Sequence, residues 1–92
     1  MKYTVRPTSK FSKDLKRIEK RGYKIDLLTA VLKKLAAGET LDESYRDHLL
    51  KENYKGCREC HITPDWLLIY EISNNTLILY LTRTGTHSDL FE

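Results

Sequence analysis

Long apolar runs are missing from this sequence. The two longest, Trp66 to Tyr70 and Leu77 to Leu81, hold five residues each. A helix that crosses a bilayer needs roughly 20, so no membrane span is expected. The opening residues, Met1-Lys2-Tyr3-Thr4-Val5-Arg6-Pro7, contain no apolar stretch either. That excludes a signal peptide and points to the cytosol. Repeats, low-complexity segments and linkers are absent. With 92 residues, the chain is expected to form one domain over residues 1–92.

What the chain has in excess is charge, and it is unevenly placed. Residues 1–38 carry eleven Lys/Arg against three Asp/Glu, a net of +8, and residues 39–92 carry five against ten, a net of −5. So dense a basic segment fits a polyanion partner such as nucleic acid, or else a solvated helical face that uses lysine.

The order of elements follows from periodicity and punctuation. Residues 2–6 have strand composition and stop at Pro7. Thr8 or Ser9 can cap a helix in which Phe11, Leu15 and Ile18 form one stripe, closed by Gly22. A second helix over about Ile25 to Ala37 buries Leu28, Val31, Leu32 and Leu35 and stops at Gly38. Residues 39–55 are polar and without clear period. After Gly56 the period becomes two, with Arg58, Cys60 and Ile62 on one face and Cys57, Glu59 and His61 on the other. Thr63-Pro64-Asp65 reads as a turn, Trp66 to Ile72 as a strand and Asn74-Asn75 as a hairpin turn, since Asn tolerates positive φ. Thr76 to Arg83 is the next strand, and His87 to Glu92 a short tail after the turn Thr84-Gly85-Thr86. The resulting β-α-α-β-β-β order predicts an α+β fold, with a helical hairpin on a small antiparallel sheet.

Cys57-Arg58-Glu59-Cys60-His61 matches the C-x-x-C-H pattern of haem attachment. The lack of an export signal and of any methionine beyond Met1 speaks against it. A redox pair or half a zinc site is disfavoured by geometry, because residues three apart on a strand face opposite ways. Zinc could still draw on His48, His61, His87 and one cysteine. The simpler expectation is that Cys60 is a small core residue and Cys57 is incidental, with no metal and no cofactor.

The three histidines, His48, His61 and His87, all lie in the second half. His61 ends a strand and Asp65 stands across the turn, while Arg83 ends the last strand and His87 follows four residues on. Chain ends at one rim of a small sheet can converge. RNA cleavage through the 2′-hydroxyl needs a base for that proton, an acid for the 5′-oxygen and a fixed cation for the phosphorane. Histidine serves both proton roles near neutral pH, and the arginine fork binds two phosphate oxygens. The set requires no metal; the alternative is that each histidine is a surface or satisfied core residue. Trp66 and Phe91 either stack on a base or pack into the core. Tyr23, Tyr45, Tyr54 and Tyr80 read as packing residues.

Several blocks together resemble the YafQ branch of the RelE/ParE toxin superfamily over nearly the whole chain. They are Tyr45-Arg46-Asp47-His48, Tyr54-Lys55-Gly56, Arg58 with His61, Pro64-Asp65-Trp66-Leu67-Leu68-Ile69-Tyr70, Arg83-Thr84-Gly85-Thr86-His87 and Leu90-Phe91. Phe11-Ser12-Lys13-Asp14-Leu15-Lys16 at the start of the hairpin is similar too. The resemblance implies a RelE-like fold and the toxin of a type II toxin–antitoxin pair. It implies an mRNA endonuclease acting in the ribosomal A site, held inactive by a DinJ-like antitoxin that also mediates contact with operator DNA. The family's active positions fall on His48, His61, Asp65, Trp66, Arg83, His87 and Phe91. The roles this implies are His87 as general acid, Arg83 on the non-bridging phosphate oxygens, and His61 or Asp65 as base. His48 would position substrate or assist proton transfer, and Trp66 and Phe91 would shape the pocket or stack on a base. The expected products are a 2′,3′-cyclic phosphate and a 5′-hydroxyl. Lys13, Lys16, Lys20 and Lys24 are the expected contacts to ribosomal RNA. Two other functions fit such a chain: a ParE-type, non-enzymatic inhibitor of DNA gyrase, and a nucleic-acid-binding module.

Overall fold

The computed structural model describes residues 1–91. Strand β1 (Thr4–Pro7) leads into helices α1 (Ser9–Lys20) and α2 (Ile25–Ala36). After two single 3-10 turns and the two-residue strand β2 (His48–Leu49) come β3 (Arg58–Thr63), β4 (Trp66–Ser73) and β5 (Ile78–Gly85). A one-turn helix, α3 (His87–Phe91), follows. The class is α+β, and the five strands are ordered β1-β5-β4-β3-β2.

Four features differ from the sequence expectation. First, β1 pairs parallel to β5, from Thr4 opposite Ile78 to Pro7 opposite Leu81, so the sheet is not wholly antiparallel. The helical hairpin carries the chain from β1 to the far edge, and the meander back ends beside β1 in the same direction; composition carries no record of strand direction. Pro7 is tolerated because β1 is an edge strand, where a missing N–H breaks no ladder bond. Second, β2 is too short to show a period. Third, the segment read as a tail begins with a helical turn; Glu92 lies outside the described residues. The β4–β5 loop also departs from expectation. Its positive φ is taken by Leu77 (+54°), while Asn74 accepts a hydrogen bond from the Tyr3 hydroxyl at 2.8 Å.

Local chemistry explains the helix ends. Thr8 caps α1: its hydroxyl oxygen accepts from the Phe11 amide at 3.0 Å and its hydroxyl donates to the Thr82 carbonyl at 2.8 Å. Each long helix closes on a glycine with two amides returned to its last turn. Gly22 bonds Glu19 and Tyr23 bonds Ile18; likewise Gly38 bonds Leu35 and Glu39 bonds Lys34. One face of α1 buries Phe11 and Ile18 with Asp14 between them.

The hairpin packs on one face of the sheet, over Leu68, Tyr70, Leu79, Leu81, Cys60 and Trp66. A smaller cluster of Cys57, Leu67, Ile69 and Leu90 fills the opposite face beneath α3, with Leu50 and Tyr54 packed against it. The central strand β4 is therefore buried on both faces from Trp66 to Tyr70, which is why its sequence is a continuous apolar run and not an alternation. Among the described residues, no helix is long and apolar enough to cross a membrane.

Candidate active site

Two loops at one rim of the sheet carry most of the site. On β3, Glu59 and His61 are two residues apart and share a face. Glu59 lies opposite His48 in the β2–β3 register. The Glu59 side chain is 8% exposed, and its Oε1 lies 3.4 Å from His48 Nε2 and 3.8 Å from His61 Nε2. Its other oxygen, Oε2, is buried with no hydrogen-bond partner among the described residues. His48 Nδ1 lies 2.7 Å from the Arg46 carbonyl. A carbonyl only accepts, so Nδ1 is the donor in this contact. The pairing of β3 with β4 slips by one residue at Ile62, a bulge just before the Pro64-Asp65 turn. His61 Nδ1 sits 3.4 Å from the Pro64 carbonyl at that turn.

The second loop joins β5 to α3. Thr86 and Asp89 cap α3 reciprocally: the Thr86 amide donates to Asp89 Oδ2 at 2.9 Å and the Asp89 amide donates to Thr86 Oγ1 at 3.2 Å. Arg21, at the end of α1, grips the same carboxylate with both Nη atoms, at 2.6 and 3.0 Å. The Arg21 guanidinium and the Thr86 amide hold the Asp89 carboxyl well below the usual carboxylate range. This clamp sets α3, whose exposed His87 packs its ring 4.8 Å from that of Phe91. Tyr54 meets Phe91 edge-on at 5.6 Å and donates its hydroxyl to the Leu90 carbonyl at 3.2 Å.

Between the two loops runs an open groove of about 600 Å³. His61, Asp65 and His87 line it, with Glu59, Leu67, Tyr23, Pro64, Thr86 and Ser88. Three of the proton-handling residues expected from the sequence are thus brought together. His48 does not line this groove; it stands behind it, linked to His61 through Glu59. Phe91 reaches the site through its contact with His87 and is 40% exposed.

Two expectations need correction. Trp66 cannot stack on a base. It is 1% exposed, packs edge-on against Tyr23 at 5.2 Å and donates its indole N–H to Thr84 Oγ1 at 2.9 Å. It supports the rim from within the core. Arg83 does not offer an open fork to phosphate. Its Nε and Nη2 hold Asp14 Oδ2 and Oδ1 at 2.6 and 3.0 Å, leaving Nη1, 3.5 Å from the Tyr54 hydroxyl. Asp14 also accepts from the Thr84 amide at 3.2 Å and lies 3.5 Å from Arg17. A second bulge, with Thr82 as the extra residue between the Ile69–Arg83 and Tyr70–Leu81 pairs, brings Arg83 to this position.

Sequence reasoning missed Glu59, Asp14 and Tyr54. For Glu59 a signal was present, since it shares the strand face of His61. Nothing local marks Asp14, whose partner Arg83 lies 69 residues away. The expected docking residues Lys13, Lys16, Lys20 and Lys24 are all exposed.

The cysteines lie on opposite faces of the sheet, one in each apolar cluster. Both are free. Burial pushes the Cys60 thiol up to about 12, and burial raises Cys57 as well, so neither is poised as a thiolate. Cys57 is not incidental, because it fills the small cluster beneath α3. Among the described residues, no group of three or more His, Cys, Asp or Glu is arranged to hold a metal ion.

Fold and groove together define a small α+β protein whose sheet carries, on one rim, a groove lined by two histidines and two carboxylates. A family profile described as the bacterial toxin of a type II toxin–antitoxin system, YafQ, matches residues 3–92. The mRNA interferase toxin YafQ of Escherichia coli (strain B / BL21-DE3) is 38% identical over 85 residues, which is 91% of this chain and 90% of that protein. A metal-bound toxin from Helicobacter pylori superposes with a TM-score of 0.91 at 44% identity, covering 97% of this chain and 99% of the other. In the E. coli DinJ–YafQ complex, the matching chain gives a TM-score of 0.89 at 35% identity, over 98% and 99% of the two chains. The chain belongs to the YafQ family of type II toxins.

Proposed function

We propose that this toxin is an mRNA endonuclease that acts on the ribosome by general acid–base chemistry. The observation that carries this reading is the convergence of His61, Asp65 and His87 on one groove, with the buried Glu59 behind them. His61 removes the 2′-hydroxyl proton. The 2′-oxygen then attacks phosphorus, and the 5′-oxygen leaves with a proton from His87. Atoms balance as a 2′,3′-cyclic phosphate and a 5′-hydroxyl. Glu59 stabilises the imidazolium that forms at His61, and His48 shares that carboxylate. Asp65 orients the base across the turn. Arg83 braces the β5 end of the site through Asp14 and presents only Nη1 toward an anion. Phe91 packs on His87 and holds an exposed edge for a base.

The partner best supported for inhibition is a DinJ-like antitoxin, since the matched DinJ–YafQ complex has this fold on its toxin side. Operator DNA is then reached through the antitoxin. Acting on ribosomes places the toxin in the cytoplasm.

The test uses ribosomes programmed with a defined mRNA, beside free mRNA. Cleavage is expected only on the ribosome, leaving a cyclic phosphate. His87→Ala is expected to lower the rate by about 10²–10⁴, the range for loss of a positioned proton donor. Growth arrest on expression without cleavage in either setting would overturn the nuclease reading.

A further inference from the structure

Asp14 engages two of the three guanidinium nitrogens of Arg83, the cation expected from the sequence at the scissile phosphate. Arg17, Arg21, Arg58 and Arg83 each lie within 4.0 Å of a carboxylate, those of Asp14, Asp89, Asp47 and Asp14 respectively. Among the described residues Arg6 and Arg46 have no such partner, and both are exposed; Arg6 lies on the edge strand β1, separated from β3 by β5 and β4, which leaves Arg46 as the one near His61. It closes the 3-10 turn Glu43–Tyr45 with φ of +51°, a conformation costly for a residue with a Cβ. Its amide is spent on the Glu43 carbonyl at 3.0 Å and its carbonyl on His48, so the backbone is fixed from both sides. Beside it lies a second cleft, of about 410 Å³, lined by Ser44, Tyr45, Arg46, His61, Thr63 and Pro64. His61 and Pro64 also line the catalytic groove, so the two cavities share one wall.

We propose that this cleft is a second nucleotide subsite, in which Arg46 binds the phosphodiester adjoining the scissile one. The inference rests on the nuclease reading above and deepens it. A chain cleaved in the groove must continue past the cleavage point, and the shared wall at His61 and Pro64 leads from groove to cleft. The cleft volume lies within the ordinary range of ligand pockets. A free guanidinium matches phosphate geometry through two parallel N–H donors, which the engaged Arg83 cannot supply. Arg46 thus provides ground-state grip on the strand, while His61 and His87 move protons.

The test measures single-turnover cleavage on programmed ribosomes with Arg46→Gln and Arg46→Lys. Arg46→Gln removes the guanidinium and its charge but keeps a Cβ at the strained position, so the backbone strain is the same. Its half-saturating concentration is expected to rise about tenfold with the saturated rate within about twofold of wild type, and its log–log salt slope to fall by about one. Arg46→Lys should recover part of the affinity. A single methylphosphonate placed in the mRNA beside the scissile phosphate should weaken wild type and leave Arg46→Gln unaffected. Equal penalties in both proteins, or a variant indistinguishable from wild type, would overturn the subsite. If wild type itself does not cleave, the nuclease reading fails separately. The subsite is then read from amide shifts of residues 44–46 with a 2′-deoxy trinucleotide; shifts absent in wild type, or retained in Arg46→Gln, overturn it.

Discussion

Asp14 joins the helical hairpin to the rim of the candidate site through one side chain. It is 2% exposed and receives Arg83, the Thr84 amide and Arg17. Removing one partner of a buried pair leaves the other uncompensated, so Asp14→Asn is expected to destabilise the protein by about 3 kcal/mol. The urea midpoint reads this directly. A shift worth under about 1 kcal/mol would mean that water replaces the carboxylate. Glu59 makes the opposite case. It is buried with Oε2 unpartnered, so it contributes little to folding for its desolvation. Glu59→Gln is therefore expected to leave the melting temperature unchanged or raised while slowing cleavage by about tenfold or more. A variant that lost stability and kept its rate would place Glu59 among the structural residues. Glu59 was legible from the strand face it shares with His61, whereas Asp14 marks the limit of legibility at this scale. His61, Asp65 and His87 stand at turn and strand ends, where period and punctuation locate them. Asp14 reads as an ordinary surface charge beside the stripe of Phe11, Leu15 and Ile18, because the partner that justifies its burial is remote in sequence.

At the scale of elements, α3 is the part least able to stand alone. One helical turn has no intrinsic stability, so its place depends on the Thr86–Asp89 cap and the Arg21 clamp. Gly85 belongs to the same device. Its φ of +153° is open to glycine, and a Cβ there would come within 2.8 Å of Asp89 Oδ2. Asp89→Asn is expected to lower the cleavage rate by loosening His87 and Phe91, with His87 itself intact. Its pH signature follows from the depressed Asp89 carboxyl. A carboxyl held lower in the folded than in the unfolded state adds stability above its unfolded pKa of about 3.9, and that stability is lost as pH falls further. Wild type should thus exceed Asp89→Asn in stability near pH 7, and the gap should close below about pH 4. Urea titrations across that range check it, and a gap constant with pH would show that the ion pair is not the source. The two helices and β3 were readable from a repeated pattern, and β4 and β5 from apolar runs bounded by turn residues. In β2 and α3 there is no such repetition; the first is an edge pairing for His48 and the second a clamped turn, and both exist through tertiary contacts.

For the whole molecule the deciding quantity is how charge is divided. The segment 1–38 holds a net of +8 and the remainder −5, yet not all of the basic residues are free to meet a partner. Arg17 and Arg21 are committed to Asp14 and Asp89, inside the scaffold of the site. Lys13, Lys16, Lys20 and Lys24 are exposed and appear in no ion pair among the described residues. The hairpin thus carries two sets of basic residues, one paired to Asp14 and Asp89 and one exposed. Replacing the four lysines by Gln should weaken ribosome affinity and reduce the log–log salt slope by about three, since each phosphate contact contributes about 0.7–0.9. The rate at saturating toxin should stay at the wild-type level, because none of the four touches the groove. Binding to ribosomes at several salt concentrations, measured beside single-turnover cleavage, distinguishes the cases. Affinity and slope left as in wild type would assign ribosome docking to another surface. A loss of saturated rate would mean that the hairpin's charge acts on the chemistry itself, through the Asp14 and Asp89 anchors it surrounds.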